Sequence, residues 1–486
     1  MTADLTSITQ VLPAIELPPA DVRRALNGWH NGGVADAIGH RLYLFERAQP
    51  VAGARLAHNR ILQQALDELA RTHAESAQIL HLRFLDNFTA ESVANRLNLA
   101  PATFYERQKT AISQMTEILC QMDTQARQER FNQLEQRLER PQSSHLVGVT
   151  EQIDMLLPQL ASSDRGWIIS IEGIGGIGKT TLAGELARSA ICHDTSWENV
   201  AWVTARQNNF HAHAESAADA PGVLTVGELL EQLYVQLMDQ TPPPTMDNEQ
   251  MLMSLEHHLR QHKCLIIIDN LETLADVEVL LSTLRRLIRP SKFILTSRES
   301  NYVDNEVFHV VLNELNEANA IELVRAEARA SNLPEVVMAT DKQLRSIYET
   351  VGGNPLALRL IVGQLHIFDL NQVLSDLKEA RSRSAESLYT FIFRRLWDHL
   401  DETARCLLIA MLFTSEQGDT LAELADICSD EEDERTLSAE ELRAGLIQLV
   451  TFNLVESRGD LFERRFTIHN LTRSFLHKQV KVWQEP

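Results

Sequence analysis

Gly173-Ile174-Gly175-Gly176-Ile177-Gly178-Lys179-Thr180-Thr181 is the stretch whose reading decides the fold. It follows Trp167-Ile168-Ile169-Ser170-Ile171, a short apolar run of the kind that forms a buried strand, and precedes residues 182–190, which read as a helix. Strand, glycine-rich loop, Lys-Thr and helix in that order make a Walker A phosphate loop. The glycines let backbone N–H groups curl around phosphates, and the helix N-terminus adds its partial positive charge. Gly173, Gly175, Gly176, Ile177, Gly178 and Thr181 would bind the nucleotide as parts of the cradle. Lys179 would reach the β- and γ-phosphates, and the Thr180 hydroxyl would ligate Mg²⁺. The expected ligands are therefore ATP or ADP with Mg²⁺. A tight glycine turn that binds nothing is the alternative, and the strand and helix flanks argue against it.

The chain has 486 residues, enough for roughly three domains of about 150 residues. With 44% apolar and 23% charged residues it has the composition of a globular protein, and its formal net charge of −22 argues against a generally basic nucleic-acid binder. Five scattered cysteines without a CxxC pair fit reduced thiols rather than a disulfide framework or zinc site. Residues 1–20 lack a basic n-region, and no apolar run approaches 18 residues. The expectation is a cytoplasmic, multidomain protein without a membrane partner.

Downstream of the loop, apolar runs recur at 200–204, 264–269, 292–296 and 307–311, with helical segments between them. Uninterrupted short runs suit strands buried on both faces of a parallel sheet, and the alternation predicts a three-layer α/β/α domain. Leu265-Ile266-Ile267-Ile268-Asp269 ends in an acid, as a Walker B strand does, and Asp269 would hold Mg²⁺ through water. Its alternative is a helix cap. Glu272 would position an attacking water, or would simply be a surface acid. Arg298, after Thr296-Ser297, has the fork geometry for a γ-phosphate; a surface salt bridge is the bland reading. His211 and His213 form a His-x-His pair that lacks further ligands nearby and is not read as a metal site.

In the N-terminal part, Thr89 can cap a short helix, Ala94 is small enough for a close helix crossing, and Asn98 suits a left-handed turn. Pro101 then fits the first turn of a second helix that carries Phe104 inward. This stretch resembles the helix-turn-helix of region four in bacterial sigma factors, over about residues 60–115. The resemblance implies that Thr103, Tyr105, Arg107 and Lys109 contact DNA; a fold used only for protein contacts is the alternative. Residues 81–140 hold eight basic and eight acidic side chains, so no basic stripe supports DNA as a partner. Residues 113–140 extend a charged helix, read as a solvated connection, with a spacer or a partner-binding helix as the alternative.

Walker A, the Val200-Ala201-Trp202-Val203-Thr204 strand, Walker B and Thr296-Ser297-Arg298 occur in an order that resembles the NB-ARC class of STAND ATPases, the family of plant resistance proteins and apoptotic scaffolds. Two later motifs extend the resemblance over about residues 145–480. Gly352-Gly353-Asn354-Pro355-Leu356 is similar to the family's Gly-Leu-Pro-Leu, which implies that Pro355 packs on the base and sugar. Ile468-His469-Asn470 is similar to its Met-His-Asp, which implies that His469 touches the β-phosphate of ADP and locks a closed form. The chain departs from the family at Val149-Thr150 after Gly148, at Asn270 where a second Asp is common, at Asn354 and at Asn470.

The fold class that follows is multidomain α/β plus α. An all-α N-terminal region with a helix-turn-helix (1–140) precedes a P-loop domain (145–315), a helical domain (316–385) and a winged helix (390–480) with a wing turn at Arg458-Gly459-Asp460. The resemblance implies an ADP/ATP switch with slow hydrolysis, an ADP-locked closed state and self-association when ATP-bound. Its output would be transcription control, or a bacterial defence or signalling response. No internal repeat is apparent, so the trigger would be sensed by the N-terminal region or by a separate sensor or effector protein. A DNA-binding regulator gated by the ATPase is the alternative reading.

Overall fold

In the computed structural model the five apolar runs become β1 (Ile168–Glu172), β2 (Asn199–Thr204), β3 (Cys264–Leu271), β4 (Lys292–Ser297) and β5 (Val307–Val311). They pair in parallel in the order β2-β3-β4-β1-β5. The structure describes residues 15–31, 38–52, 54–139, 147–205, 225–271, 274–297, 306–381, 385–414, 418–428, 438–459, 463–468, 472–473 and 476.

Both faces of the sheet are buried, as its continuous apolar runs require. Ile168, Ala201, Val203, Ile266, Ile268, Phe293 and Leu295 share one core with helices Val226–Met238, Asn248–Gln261 and Leu274–Leu287. Residues of the opposite phase, among them Ile169, Ile171, Ile267 and Ile294, are fully buried as well. Two of these helices open on capping boxes, Thr225 with Glu228 and Asp247 with Gln250, each satisfying two otherwise orphaned N–H groups. Burial pushes the Cys264 thiol, at the start of β3, up to about 12, so it is inert as a nucleophile.

The order of strands matters for function. The strand before the phosphate loop, β1, lies between β4 and β5, and β4 separates it from β3. The carboxyl end of β4 is thereby placed between the loop and Asp269. In open parallel sheets ligands bind outside these carboxyl ends.

After β5 come helices Glu317–Ala330, Asp341–Val351, Pro355–Gln364, Leu370–Arg381 and Ala385–His399, then Glu402–Ala410, Leu421–Cys428 and Ala439–Thr451. An antiparallel hairpin follows, β6 (Val455–Gly459) with β7 (Arg464–Ile468). Leu344, Ile361, Leu396, Leu446 and Ile468 belong to a single core, so these helices and the hairpin are packed together. Asp401 separates helix Ala385–His399 from helix Glu402–Ala410: its side chain accepts from the Ala404 N–H at 2.7 Å and starts the second helix. Arg458 and Gly459 extend strand β6 rather than forming the wing turn, and Asp460 lies outside the described residues.

Two compact units divide the described residues, one drawn from Gln10–Gln136 with Ile191–Ser196, the other from Arg137–Ala190 and Trp197–Pro486. In the first, helix Ala90–Arg96 is capped by Thr89, whose hydroxyl accepts from the Ser92 N–H at 3.2 Å. Asn98 takes the left-handed conformation at φ 52°, helix Pro101–Glu135 follows, and Phe104 is fully buried against Val93 and Ala94. The solvated reading of residues 113–140 is corrected. Met115, Ile118 and Leu119 pack into the core of this unit with Leu62, Leu66 and Phe84, and the buried Asp123 accepts from the Leu44 N–H at 2.8 Å.

Candidate functional site

The loop after β1 has the backbone its glycines permit: φ is 149° at Gly173, 73° at Gly176 and 101° at Gly178. Gly176 is required twice over. Its φ suits glycine, and a Cβ there would lie 2.9 Å from the Cβ of Leu356. Ile177 is buried beneath the loop, and helix Lys179–His193 begins directly after Gly178. Thr181 sits in its first turn. The Lys179 ammonium donates to the carbonyls of Gly173 at 2.8 Å and Ile174 at 3.0 Å, so it reaches back over the loop that precedes it.

Asp269, at the end of the central part of β3, is fully buried. The Thr180 hydroxyl lies 2.9 Å from its Oδ1 and 3.1 Å from its Oδ2. A second hydroxyl, Thr296 Oγ1, donates to Oδ1 at 2.5 Å and accepts from the Asn270 N–H at 2.8 Å. A buried carboxylate with hydroxyl donors on it is held in one rotamer. In the sequence Thr296 stands out only as a neighbour of Arg298. Its place on the strand between β1 and β3 makes it part of the site, and only the strand order reveals that.

Asn270 follows Asp269 with φ 67°, where the β3–β4 register shifts, and its side-chain amide donates to the Ala205 carbonyl at 3.3 Å. The residue that departs from the family's second Asp is thus engaged in joining the ends of β2 and β3.

From the helical segment, Gly352-Gly353-Asn354-Pro355 descends onto the loop. Gly352 ends helix Asp341–Val351 at φ 80°. Gly353 admits no side chain, because its Cβ would fall 1.9 Å from the Leu315 carbonyl oxygen. Asn354 caps helix Pro355–Gln364, accepting from the Leu356 and Ala357 N–H groups at 3.1 and 3.3 Å, and Pro355 fills the first helical position, where no N–H is needed. The Asn354 amide also donates to the Gly175 carbonyl at 3.1 Å. Sequence reasoning assigns a role to Pro355 and passes over Asn354; the signal is a cap residue standing immediately before Pro.

Gly173, Gly175, Gly176, Ile177, Gly178, Lys179, Thr180, Thr181, Asp269 and Pro355 are all described, and the bonds above bring the loop, Asp269 and the Asn354-Pro355 turn together. Glu272, Arg298 and His469 lie outside the described residues, as do His211 and His213. Thr103, Tyr105, Arg107 and Lys109 are exposed on helix Pro101–Glu135. Their helical spacing puts Thr103 with Arg107 and Tyr105 with Lys109, on two different faces. Arg107 pairs with Glu75.

Comparison with known proteins bears on this geometry. Residues 149–333 match the NB-ARC domain family. The matched stretch contains the phosphate loop, Asp269 and all five strands, so this part of the chain is similar to a nucleotide-binding P-loop domain of that family. An uncharacterised WD repeat-containing protein from Nostoc sp. is 25% identical over 374 residues, covering 70% of this chain and 27% of that protein. The transcription activator GutR of Bacillus subtilis is 25% identical over 286 residues, covering 52% of this chain and 32% of its own. The chain thus spans about a quarter to a third of the length of these relatives. Among solved structures, a Signal Transduction ATPase with Numerous Domains (STAND) protein with a tetratricopeptide repeat sensor from Pyrococcus horikoshii is similar at 17% identity and a TM-score of 0.41, over 71% of this chain and 44% of that one. Among the described residues no helix is long and apolar enough to cross a membrane.

Proposed function

We propose that the chain is a switch operated by ADP and ATP, with slow hydrolysis as its reset. Lys179 would hold the β- and γ-phosphates. Thr180 and Asp269 are hard oxygen donors of the kind Mg²⁺ takes, and their juxtaposition fits such an ion. When bound, Mg²⁺ would neutralise charge on the phosphates. Pro355 would pack on the base and sugar, Arg298 would meet the γ-phosphate, and His469, just past β7, would meet the β-phosphate of ADP and keep a closed form. The helices and hairpin after residue 390 would serve as the winged helix carrying that contact.

One observation carries the switch reading: the turn at Asn354-Pro355 rests on the phosphate loop itself, with Asn354 bonded to Gly175. The loop that receives the phosphates is then also the seat of the helical segment, so what occupies one bears on the other. Slow turnover is supported by Asn270, a neutral amide already engaged with Ala205, which leaves Glu272 as the acid to orient water. Moving such a switch from 1:99 to 99:1 takes about 5.5 kcal/mol of differential binding. Two charge-assisted contacts at about 1.5–3 kcal/mol each supply most of it.

ATP with Mg²⁺ would release the closed form and drive self-association. Light scattering on the purified chain tests this: a monomer in ADP and a larger assembly in ATP with Mg²⁺ are expected. The same mass in both nucleotides would remove assembly from the account.

A second reading, a DNA-binding regulator gated by the ATPase, is supported by the exposure of Thr103, Tyr105, Arg107 and Lys109 beyond the left-handed turn at Asn98. That one relative is a transcription activator agrees with it.

A further inference from the structure

We propose that Asn354 is a positioning residue for the nucleotide site: anchored as a helix cap, its amide holds the Gly175 carbonyl and so sets the direction of the phosphate loop's donors. The inference rests on the reading of the loop as a nucleotide site and adds to it the group that orients the loop.

The hydrogen bonds leave the amide a single orientation. Its oxygen must face the two helix-start donors, Leu356 N and Ala357 N, and its nitrogen must face the Gly175 carbonyl; the flipped amide would set donor against donor and acceptor against acceptor. The side chain is 1% exposed, so water does not stand in for a missing partner. Helix Pro355–Gln364, whose Leu358, Leu360, Ile361 and Val362 are all buried, is a rigid mount for it.

The effect on the loop follows from peptide geometry. A trans peptide points its C=O and N–H to opposite sides. Holding the Gly175 oxygen against the helix start therefore turns the Gly176 N–H away from that helix. A further bond, Leu356 N–H to the Gly176 carbonyl at 3.4 Å, biases the Ile177 N–H in the same way. Those N–H groups are the donors a phosphate loop offers. Peptides between glycines flip at small cost, because glycine tolerates both signs of φ. A Gly-Gly peptide without a clamp would spend part of its time with the donor on the wrong side, and affinity falls with the competent fraction. The clamp spans 179 positions of chain, so it depends on the helical segment being docked.

The test separates this role from simple helix capping. Ser and Asp cap about as well as Asn, but Ser is too short to reach Gly175, and Asp brings no donor and faces the carbonyl with a carboxylate. Full-length Asn354→Ser and Asn354→Asp are compared with the native chain for affinity toward ADP and toward adenosine, and for melting without nucleotide. ADP affinity should fall about 3- to 10-fold for the serine variant and further for the aspartate variant. Adenosine affinity should stay near native, since adenosine has no phosphate for the loop to hold. Melting without nucleotide should fall modestly in both variants, because the Gly175 carbonyl loses a buried donor, and the ratio of ADP to adenosine loss is the deciding readout. Should one variant fail to fold, the other carries the comparison. Unchanged ADP affinity in a folded variant, or equal losses for ADP and adenosine, would overturn the role of Asn354. A native chain that binds no ADP would instead overturn the nucleotide reading itself.

Discussion

The Thr180 hydroxyl meets both carboxylate oxygens of Asp269, at 2.9 and 3.1 Å, across 89 positions of sequence. The pair joins the first turn of the helix after the phosphate loop to the end of a strand two places away in the sheet. If the pair holds Mg²⁺, then Thr180→Val and Asp269→Asn should each abolish the gain in ATP affinity that Mg²⁺ confers, a loss of roughly 10-fold or more for one charge-assisted interaction. Binding of ADP without Mg²⁺ should change far less. Titrations with and without the metal check this, and an undiminished Mg²⁺ effect would remove the pair from metal binding.

Thr296 should behave as a support for Asp269 rather than as a ligand-binding residue. Thr296→Val keeps the shape but strips a buried hydroxyl that both donates to Asp269 and accepts from Asn270. Urea unfolding should show a loss of about 1–3 kcal/mol, with Thr296→Ser close to native. Equal stability in all three would mean the hydroxyl is replaceable.

Lys292 gives a pH dependence with a definite sign. It is buried at the start of β4, donates to the carbonyls of Gln159 at 2.6 Å and Arg165 at 2.8 Å, and burial lowers its pKa from 10.5 to about 8. Between pH 8 and 10.5 the unfolded chain holds a proton that the folded chain has released, so this group makes stability rise with pH across that window. Below pH 8 both states are protonated and the contribution is flat. Denaturant melts of the native chain and Lys292→Met over this range should differ in slope, the native rising more steeply. Parallel profiles would show that Lys292 keeps an ordinary pKa.

For the DNA reading, Arg107→Ala with Lys109→Ala should weaken binding and flatten its salt dependence, by about one unit of log–log slope for each phosphate no longer neutralised. Fluorescence anisotropy over a salt series in ADP and in ATP measures this. Absence of salt-sensitive affinity in either nucleotide would confine the N-terminal unit to protein contacts.

What the sequence made readable was chemistry carried by local spacing. Lys179 and Thr180 follow the glycines at fixed offsets, Asp269 ends an apolar run, and Thr89, Asn98 and Phe104 stand where a cap, a left-handed turn and an inward face need them. What escaped depends on which elements meet. Thr296 matters because β4 lies between β1 and β3, an ordering no run of residues records. Asn354 matters because a turn from the helical segment folds back onto Gly175. The long helix Pro101–Glu135 carries many charges, and its burial at Met115, Ile118 and Leu119 comes from helices that precede it by tens of residues.

In the proposed switch the phosphate loop is one half of a latch, closed on ADP. The most direct measurement is to identify the nucleotide that co-purifies with the native chain, and to repeat it with Lys179→Ala and His469→Ala. The account predicts tightly held ADP, absent with the first substitution and loosened with the second. A native protein that purifies free of nucleotide would contradict it.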